Sequence, residues 1–348
     1  MRLRVLLVTL LCAVALGAGS ATRSVAADTG TAVRLGVGTD SITMTPFYLA
    51  ERMGYFKAEG LDVEFIPLPS AALMIAPLGA GQLDVGGGAI TAGLYNAVGR
   101  GIDLKIVADL GSDPPGYGFQ TLVVSNSLLA SGGYKSVKDL RGKRIAITAR
   151  GISTSALVAA LLKTGGLTMN DVTMMYMPVA DQIAAMRNGS LDASLMPEPG
   201  PSLAEKEKVG TKMLRDDAYY PNQQIVAMLY GSNFLKKNRD TGLRFMRAYL
   251  RGVRLYNDNL KNGKLAGKQA GVVMSIFAEA THQDRSVLSR VTPSGDNPNG
   301  RLNVLTMRSD LNFFKAQGLI DSPTIQAEDA IDATFAADAV KALGPYHS

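Results

Sequence analysis

Histidine, cysteine and tryptophan are almost missing from this chain, and each shortage excludes a kind of chemistry. Its 348 residues include one cysteine, two histidines and no tryptophan. The cysteine, Cys12, sits in an N-terminal apolar run, so the chain after it can form neither a disulfide nor a thiolate metal site. Of the histidines, His347 is penultimate and His282 falls in a helical linker, where it reads as a surface residue. A nucleophile relying on a histidine base therefore has little to draw on. No Gly-x-Ser-x-Gly, Walker loop or dinucleotide fingerprint occurs, and Gly86-Gly87-Gly88 lacks the spacing of the last. Carboxylates such as Asp181 and Asp192 are scattered without a spacing that marks an acid/base couple. Charged residues amount to 19% with no dense Lys/Arg tract, which argues against nucleic acid as a partner. These absences favour a binding protein over an enzyme, with no cofactor and no metal expected.

The N-terminus indicates the compartment. Arg2 and Arg4 precede an apolar run from Val5 to Leu16, and Ser20 to Ala27 is mostly small and polar. Val25-Ala26-Ala27 meets the small-x-small rule, so a secretory signal peptide over 1–27 is expected, cleaved before Asp28. The run is too short for a membrane anchor, which needs ~20 apolar residues. Leu11 stands where a lipid-modified Cys12 would need a small residue, so a lipoprotein is not expected. The whole chain has 36 Lys and Arg against 30 Asp and Glu; losing Arg2, Arg4 and Arg23 lowers its net charge from +6 to +3. The remaining ~320 residues suffice for two domains.

Short apolar runs alternate with helical patterns. Strands are expected at 33–37, 61–66, 83–86 and 104–108, with helices from Thr45-Pro46, near Ala71 to Leu78 and from Thr91 to Val98. A second unit repeats the rhythm, with strands at 144–148, 172–176 and 191–195 and helices at 153–162 and 180–187. Such βαβα order predicts an α/β protein with open, mostly parallel sheets. Gly81-Gln82-Leu83-Asp84-Val85 is echoed by Gly189-Ser190-Leu191-Asp192-Ala193, which supports two similar lobes. Beyond 224–229 the pattern is mainly helical, at 243–260, 264–280, 303–317 and 327–343.

Three strand-to-helix turns stand out: Asp40-Ser41-Ile42-Thr43, Gly87-Gly88-Ala89-Ile90-Thr91, and Ala149-Arg150-Gly151-Ile152-Ser153-Thr154. Helix starts offer free N–H groups to polar or anionic ligands, and ligands of open α/β sheets lie beyond the carboxyl ends of the strands. Ser41, Thr43, Gly88, Ala89, Thr91, Ser153 and Thr154 are therefore candidate ligand contacts; Ser41, Thr91 and Ser153 read equally well as ordinary N-caps. Arg150 can fork onto a carboxylate or sulfonate, or be a solvated turn residue. Phe47 and Tyr95 are candidate apolar walls or core. Glu198, beside Pro199, can accept from a ligand amine, from the opposite lobe, or cap the next helix.

Several segments carry a family resemblance. They are Pro46-Phe47-Tyr48-Leu49-Ala50, Gly54-Tyr55-Phe56-Lys57-Ala58-Glu59-Gly60-Leu61-Asp62-Val63, Gly81-Gln82-Leu83-Asp84-Val85-Gly86, Asp139-Leu140-Arg141-Gly142-Lys143-Arg144-Ile145-Ala146 and Phe314-Lys315-Ala316-Gln317-Gly318-Leu319-Ile320. Together they resemble the nitrate/sulfonate/bicarbonate and thiamine-precursor class of periplasmic binding proteins of ABC transporters. The resemblance implies a type II periplasmic binding protein fold, two α/β lobes closing on ligand like a flytrap. Lobe 1 would span 28–122 and return over 227–348; lobe 2 would span 123–226. The crossings are expected near 118–124 and 223–229. It further implies a monomeric periplasmic receptor that gives its ligand to a permease driven by an ATPase subunit; the helix-start turns and Arg150 point to a small organic anion as that ligand, with a pyrimidine-type heterocycle as the alternative. A ligand sensor for a signalling partner is the other reading. With no tryptophan, any stack on a flat ligand must use Phe or Tyr.

Mass spectrometry of the exported protein is expected to find Asp28 as the first residue. Retention of 1–27 in the exported form would overturn the signal-peptide reading.

Overall fold

The computed structural model describes residues 30–38 and 41–346. The expected signal peptide, Cys12, Asp40 and His347 lie outside the described residues. The chain first lays down β1 (Thr31–Gly38), α1 (Thr45–Arg52), α2 (Tyr55–Ala58), β2 (Leu61–Leu68), α3 (Ile75–Gly79), β3 (Val85–Ala89), α4 (Ala92–Gly99) and β4 (Leu104–Ser112). It then crosses to β5 (Gln120–Ser125), α5 (Asn126–Ala130), β6 (Arg144–Ile147), α6 (Ser153–Thr164), β7 (Thr173–Tyr176), α7 (Val179–Arg187), β8 (Ala193–Pro197), α8 (Gly200–Lys206) and β9 (Gly210–Arg215). It returns through β10 (Gln224–Gly231), α9 (Arg239–Asn257), β11 (Leu260–Lys261), β12 (Lys264–Leu265), α10 (Ala270–Thr281), α11 (Arg285–Leu288), α12 (Val304–Ala316) and α13 (Thr334–Leu343).

Two five-stranded sheets result, ordered β2-β1-β3-β10-β4 and β7-β6-β8-β5-β9. β10 runs antiparallel to β3 and β4, and β5 antiparallel to β8 and β9. The remaining pairs are parallel, so each lobe has a single reversed strand, the first one laid down after a crossing. This is the two-lobed α/β architecture expected from the alternating pattern.

The repeated Gly-x-Leu-Asp segment has one physical cause in both lobes. Asp84 accepts from Arg34 of β1 through the backbone N (2.9 Å), Nε (3.1 Å) and Nη2 (3.0 Å), while Nη2 also donates to Gly81 O (2.7 Å). Asp192 holds Arg144 of β6 in the same way, at 2.8, 2.9 and 2.8 Å, with Nη2 donating to Gly189 O at 2.9 Å. Gly81 and Gly189 have φ of 70° and 77°, a region open to glycine at little cost. Burial works to raise the Asp84 carboxyl, but Arg34 and Asn233 hold it below the usual range. Arg144 depresses Asp192 likewise.

Glycine in β3 lets two layers approach. A Cβ on Gly87 would lie 2.7 Å from Phe47 Cε2 and 2.8 Å from Leu110 Cδ2; one on Gly88 would lie 2.5 Å from Ala71 Cβ. The strand starts two residues later than the pattern predicted, because Leu83-Asp84 is taken up by the turn and the arginine bracket. Helix was also expected from Lys264. Instead 260–265 forms the β11–β12 hairpin, turned by Asn262-Gly263 with φ of 50° and 73°.

The crossings pass through 113–119 and 216–223 and bond to each other, Asn222 N to Asp113 O (2.7 Å) and Asp113 N to Gln223 O (3.3 Å). Buried aspartates hold them. Asp113 accepts Phe119 N (3.4 Å), Asp216 accepts Gln120 N (3.2 Å), and Asp310 of α12 accepts Tyr220 Oη (2.8 Å) and Gln223 Nε2 (2.6 Å). Burial pushes Asp216 and Asp310 up to about 7. Asp113 is also raised well above the usual carboxylate range, by burial and by the facing Asp216.

Two outcomes follow for stability. Gly87→Ala should lower unfolding free energy by ~1–3 kcal/mol in urea titrations, since neither neighbour is a free chain end. Carboxyls raised in the folded state stabilise it most when protonated. Their contribution is complete below the unfolded value and lost as pH climbs through about 7. The melting temperature should therefore fall between about pH 5 and about pH 8; a rise across that range would contradict the assignment.

Candidate functional site

The lobes meet over the carboxyl ends of β1, β3, β6 and β8. There they enclose a cavity of about 100 Å³. Its first-lobe wall is Gly38, the Ser41–Met44 turn, Pro69–Ala71 and Gly88–Ala89. The second-lobe wall is Phe119, Gln120, Thr148, Ile152, Thr154 and the end of β8, and Ile225 and Val226 close the floor. No charged side chain lines it. Its polar groups are hydroxyls and one amide. Ser41 Oγ and Thr43 Oγ1 lie 3.0 Å apart, and Ser41 Oγ accepts Thr43 N at 3.4 Å. Ser70 Oγ accepts Ala72 N at 3.3 Å. Gln120 Nε2 donates to Thr154 Oγ1 at 2.9 Å, while its buried Oε1 has no partner. A buried acceptor without a donor costs roughly 1–3 kcal/mol, so this atom is poised for a ligand or water.

Backbone bonds latch the lobes on either side. Ser153 N donates to Ile90 O (2.9 Å) and Ala92 N to Gly151 O (2.8 Å), joining the two lobes around the Thr91–Ile152 bridge. On the other jaw Ile42 N donates to Glu198 O at 3.1 Å. The lobes are thus closed on each other.

Of the residues singled out from sequence, the fold gathers Ser41, Thr43, Gly88, Ala89 and Thr154 around this cavity. Thr91 caps α4, accepting Leu94 N at 2.9 Å, and Ser153 Oγ donates to Ile225 O at 2.8 Å; both sit in the latch, not on the cavity wall. Phe47 is fully buried against Phe245 and Tyr249, ring centres 6.0 and 5.1 Å away, and Tyr95 is fully buried as well. Neither faces the cleft. Arg150 lines a separate crevice beside Tyr176 and Phe313. Glu198 combines two of its three readings. Its buried carboxylate accepts Ser202 N (3.3 Å) at the start of α8, and Thr292 N (3.4 Å) from the return segment. Lys212 Nζ lies 2.6 Å from it. Burial raises the Glu198 pKa against the pull of Lys212.

Ser70 and Gln120 were not singled out. Ser70 follows β2 and opens the 3-10 turn Ala71–Met74, so the rule applied to the other turns covers it too. Gln120 sits at the first residue of β5, and only the folding of that strand against β8 brings it to the cleft. Among the described residues, no group of three or more His, Cys, Asp or Glu side chains is placed to hold a metal ion.

Known proteins share this architecture. A Bacillus subtilis (strain 168) chain named as a candidate aliphatic sulfonates-binding protein is 24% identical over 316 residues, 87% of this chain and 86% of that one. The alkanesulfonate-binding protein SsuA from Xanthomonas axonopodis pv. citri, bound to MOPS, superposes with a TM-score of 0.68 at 19% identity, covering 86% of this chain and 97% of that one. The periplasmic nitrate-binding protein NrtA from Synechocystis PCC 6803 gives 0.73 at 15% identity, over 90% and 89%. Residues 41–259 match the family described as NMT1/THI5 like, and since that stretch is more than half of the chain, this protein belongs to that family.

Proposed function

We propose that this protein is the extracytoplasmic substrate-binding component of an ABC importer and is not an enzyme. The observation that carries the reading is the closed cleft between two lobes, walled by hydroxyls, an amide and apolar groups. Such a site binds and releases. It offers no histidine, cysteine, carboxylate or lysine to act as nucleophile or proton carrier. The names of the B. subtilis and Xanthomonas relatives support sulfonates as the ligand class. The chain is then periplasmic, and its closed form gives the ligand to a membrane permease powered by an ATPase subunit.

The ligand is a small monoanion, a sulfonate or carboxylate, held by neutral donors rather than by a countercharge. Hydroxyls and N–H groups aimed at an anion in a site without water stabilise it without the desolvation cost of burying a second ion. Ligand contacts from both walls favour the closed state, and that difference in affinity drives closure. Ser41, Thr43, Gly88, Ala89 and Thr154 are the contacts proposed, joined by Ser70 and Gln120. A second reading is a neutral heterocycle such as a pyrimidine. The uncharged lining and the free Gln120 Oε1, which accepts an N–H, favour it.

A thermal-shift panel of sulfonates, carboxylates, nitrate and pyrimidines separates these readings. At a thousandfold excess over its dissociation constant, a true ligand stabilises the folded state by ~4 kcal/mol. A sulfonate or carboxylate shift supports the anion, and a pyrimidine shift supports the heterocycle. Turnover of the bound compound would overturn the binding-protein reading. Gln120→Leu should weaken the ligand found about ten- to a hundredfold by calorimetry, the worth of one hydrogen bond to a charged group.

A further inference from the structure

A second concavity lies on the flank of the molecule, away from the cleft. It has a volume of about 590 Å³ and is bounded by the end of β9, the β11–β12 hairpin, and helices α10 and α11. Four cations line it, Arg215, Lys264, Arg285 and Arg290, and no Asp or Glu does. Arg215 is oriented by Asp217, whose Oδ1 and Oδ2 lie 3.1 and 3.2 Å from its Nε and Nη2. Arg285 Nη2 donates to Ser275 Oγ at 2.6 Å. Among the described residues, Lys264, Arg285 and Arg290 form no ion pair. The first residues of the 12-residue helix α10, Ala270 and Gly271, also line the cavity, and the first turn carries no acid. The N–H groups of Ala270, Val272 and Val273 are already bonded to Gly267 O and Gln269 O, so that helix start shapes the wall, and the donors of the recess are its cationic side chains.

Like charges gathered in one recess repel, and a net charge of +3 on the chain after residue 27 supplies no general surplus of acid to screen them. We propose that this crevice is a second binding site, separate from the interlobe cleft, for a small multivalent oxyanion of the phosphate type. The guanidinium groups of Arg285 and Arg290 and the Lys264 ammonium converge on one recess, with Arg215 held at its edge by Asp217, and such cations are the donors that a multivalent anion takes up. A lipid headgroup offers the same chemistry. The crevice, sunk between two helices and a hairpin, suits a free anion.

Its position gives occupancy a consequence. α10 packs on α1 of the first lobe, and α11 packs on α8 of the second. The segment between α11 and α12 is pinned to the second lobe by Lys212 Nζ on Arg290 O (3.0 Å) and Thr292 N on Glu198 Oε1 (3.4 Å). Arg215 belongs to the second lobe and the other three cations to the return segment. The four stand around one recess while that clamp is made. An anion bridging them stabilises the closed arrangement.

Isothermal titration of the chain from Asp28 onward with pyrophosphate tests the site. Saturable binding at one equivalent is expected, weakening steeply with added salt. Arg285→Gln/Arg290→Gln should lose at least tenfold in affinity, and Lys264→Gln a smaller factor, with melting temperatures no lower than that of the wild type when no anion is present. Lys163→Gln, an exposed cation elsewhere, should bind like the wild type. No saturable binding to the wild type overturns the proposal. So does equal weakening by Lys163→Gln, or binding to phosphatidylglycerol vesicles without binding to pyrophosphate. The cleft ligand plays no part in this titration, so its result stands apart from the importer reading.

Discussion

Each lobe depends on one arginine–aspartate bracket. Arg34 and Asp84, and again Arg144 and Asp192, tie the first strand of a βαβ unit to the residue that enters the neighbouring strand. The two arginine side chains are 38% and 39% exposed, so the ion pairs by themselves add little stability. Their value is register. The carboxylate also accepts the strand's own backbone N–H, and the guanidinium holds the carbonyl of the turn glycine. With β1 set against β3 and β6 against β8, the carboxyl ends of four strands come to one level. The cleft is built from what lies just beyond them.

The closed state is held largely by backbone. Ile90 and Ala92 meet Gly151 and Ser153 across one side, and Ile42 meets the Glu198 carbonyl on the other. These bonds do not depend on side-chain identity, so the latch leaves the cavity wall free to vary with ligand. Side chains take part as well: Lys206 pairs with Asp284 at the surface, and Glu198 ties the start of α8, Lys212 and the Thr292 backbone into one buried node. A buried carboxylate survives there because two backbone N–H donors and one cation surround it. The fully buried carboxyls at the crossings follow a different rule: Asp113 and Asp216 face each other and Asp310 meets neutral donors, and burial raises all three.

Much of this was legible in the sequence. Alternation in period predicted both sheets, and the Leu-Asp echo marked equivalent points in two lobes. Pro46 at the start of α1 and Gly54 at its end bound that helix within a residue. The Asn262-Gly263 hairpin was equally legible but was overridden by the helical pattern around it. Within the site, a rule about strand-to-helix turns reached Ser41, Thr43, Gly88, Ala89 and Thr154, and extending it to the turn after β2 reaches Ser70.

By itself, the sequence determined the fold class, the number of lobes and the turns that can face a ligand, because periodicity, helix caps and glycine turns act over a few neighbouring residues. Tertiary structure alone decided which of those turns converge. Thr91 and Ser153 are drawn into the latch, and Phe47 is taken by the packing of α1 on α9, which needs Gly87 to let its ring in. Arg150 has the same turn as Thr154 but faces α12 instead of the cleft. Gln120 reaches the cavity through its pairing with Pro197, far along the chain. Direction and convergence are set by contacts between distant segments, and no local pattern encodes them.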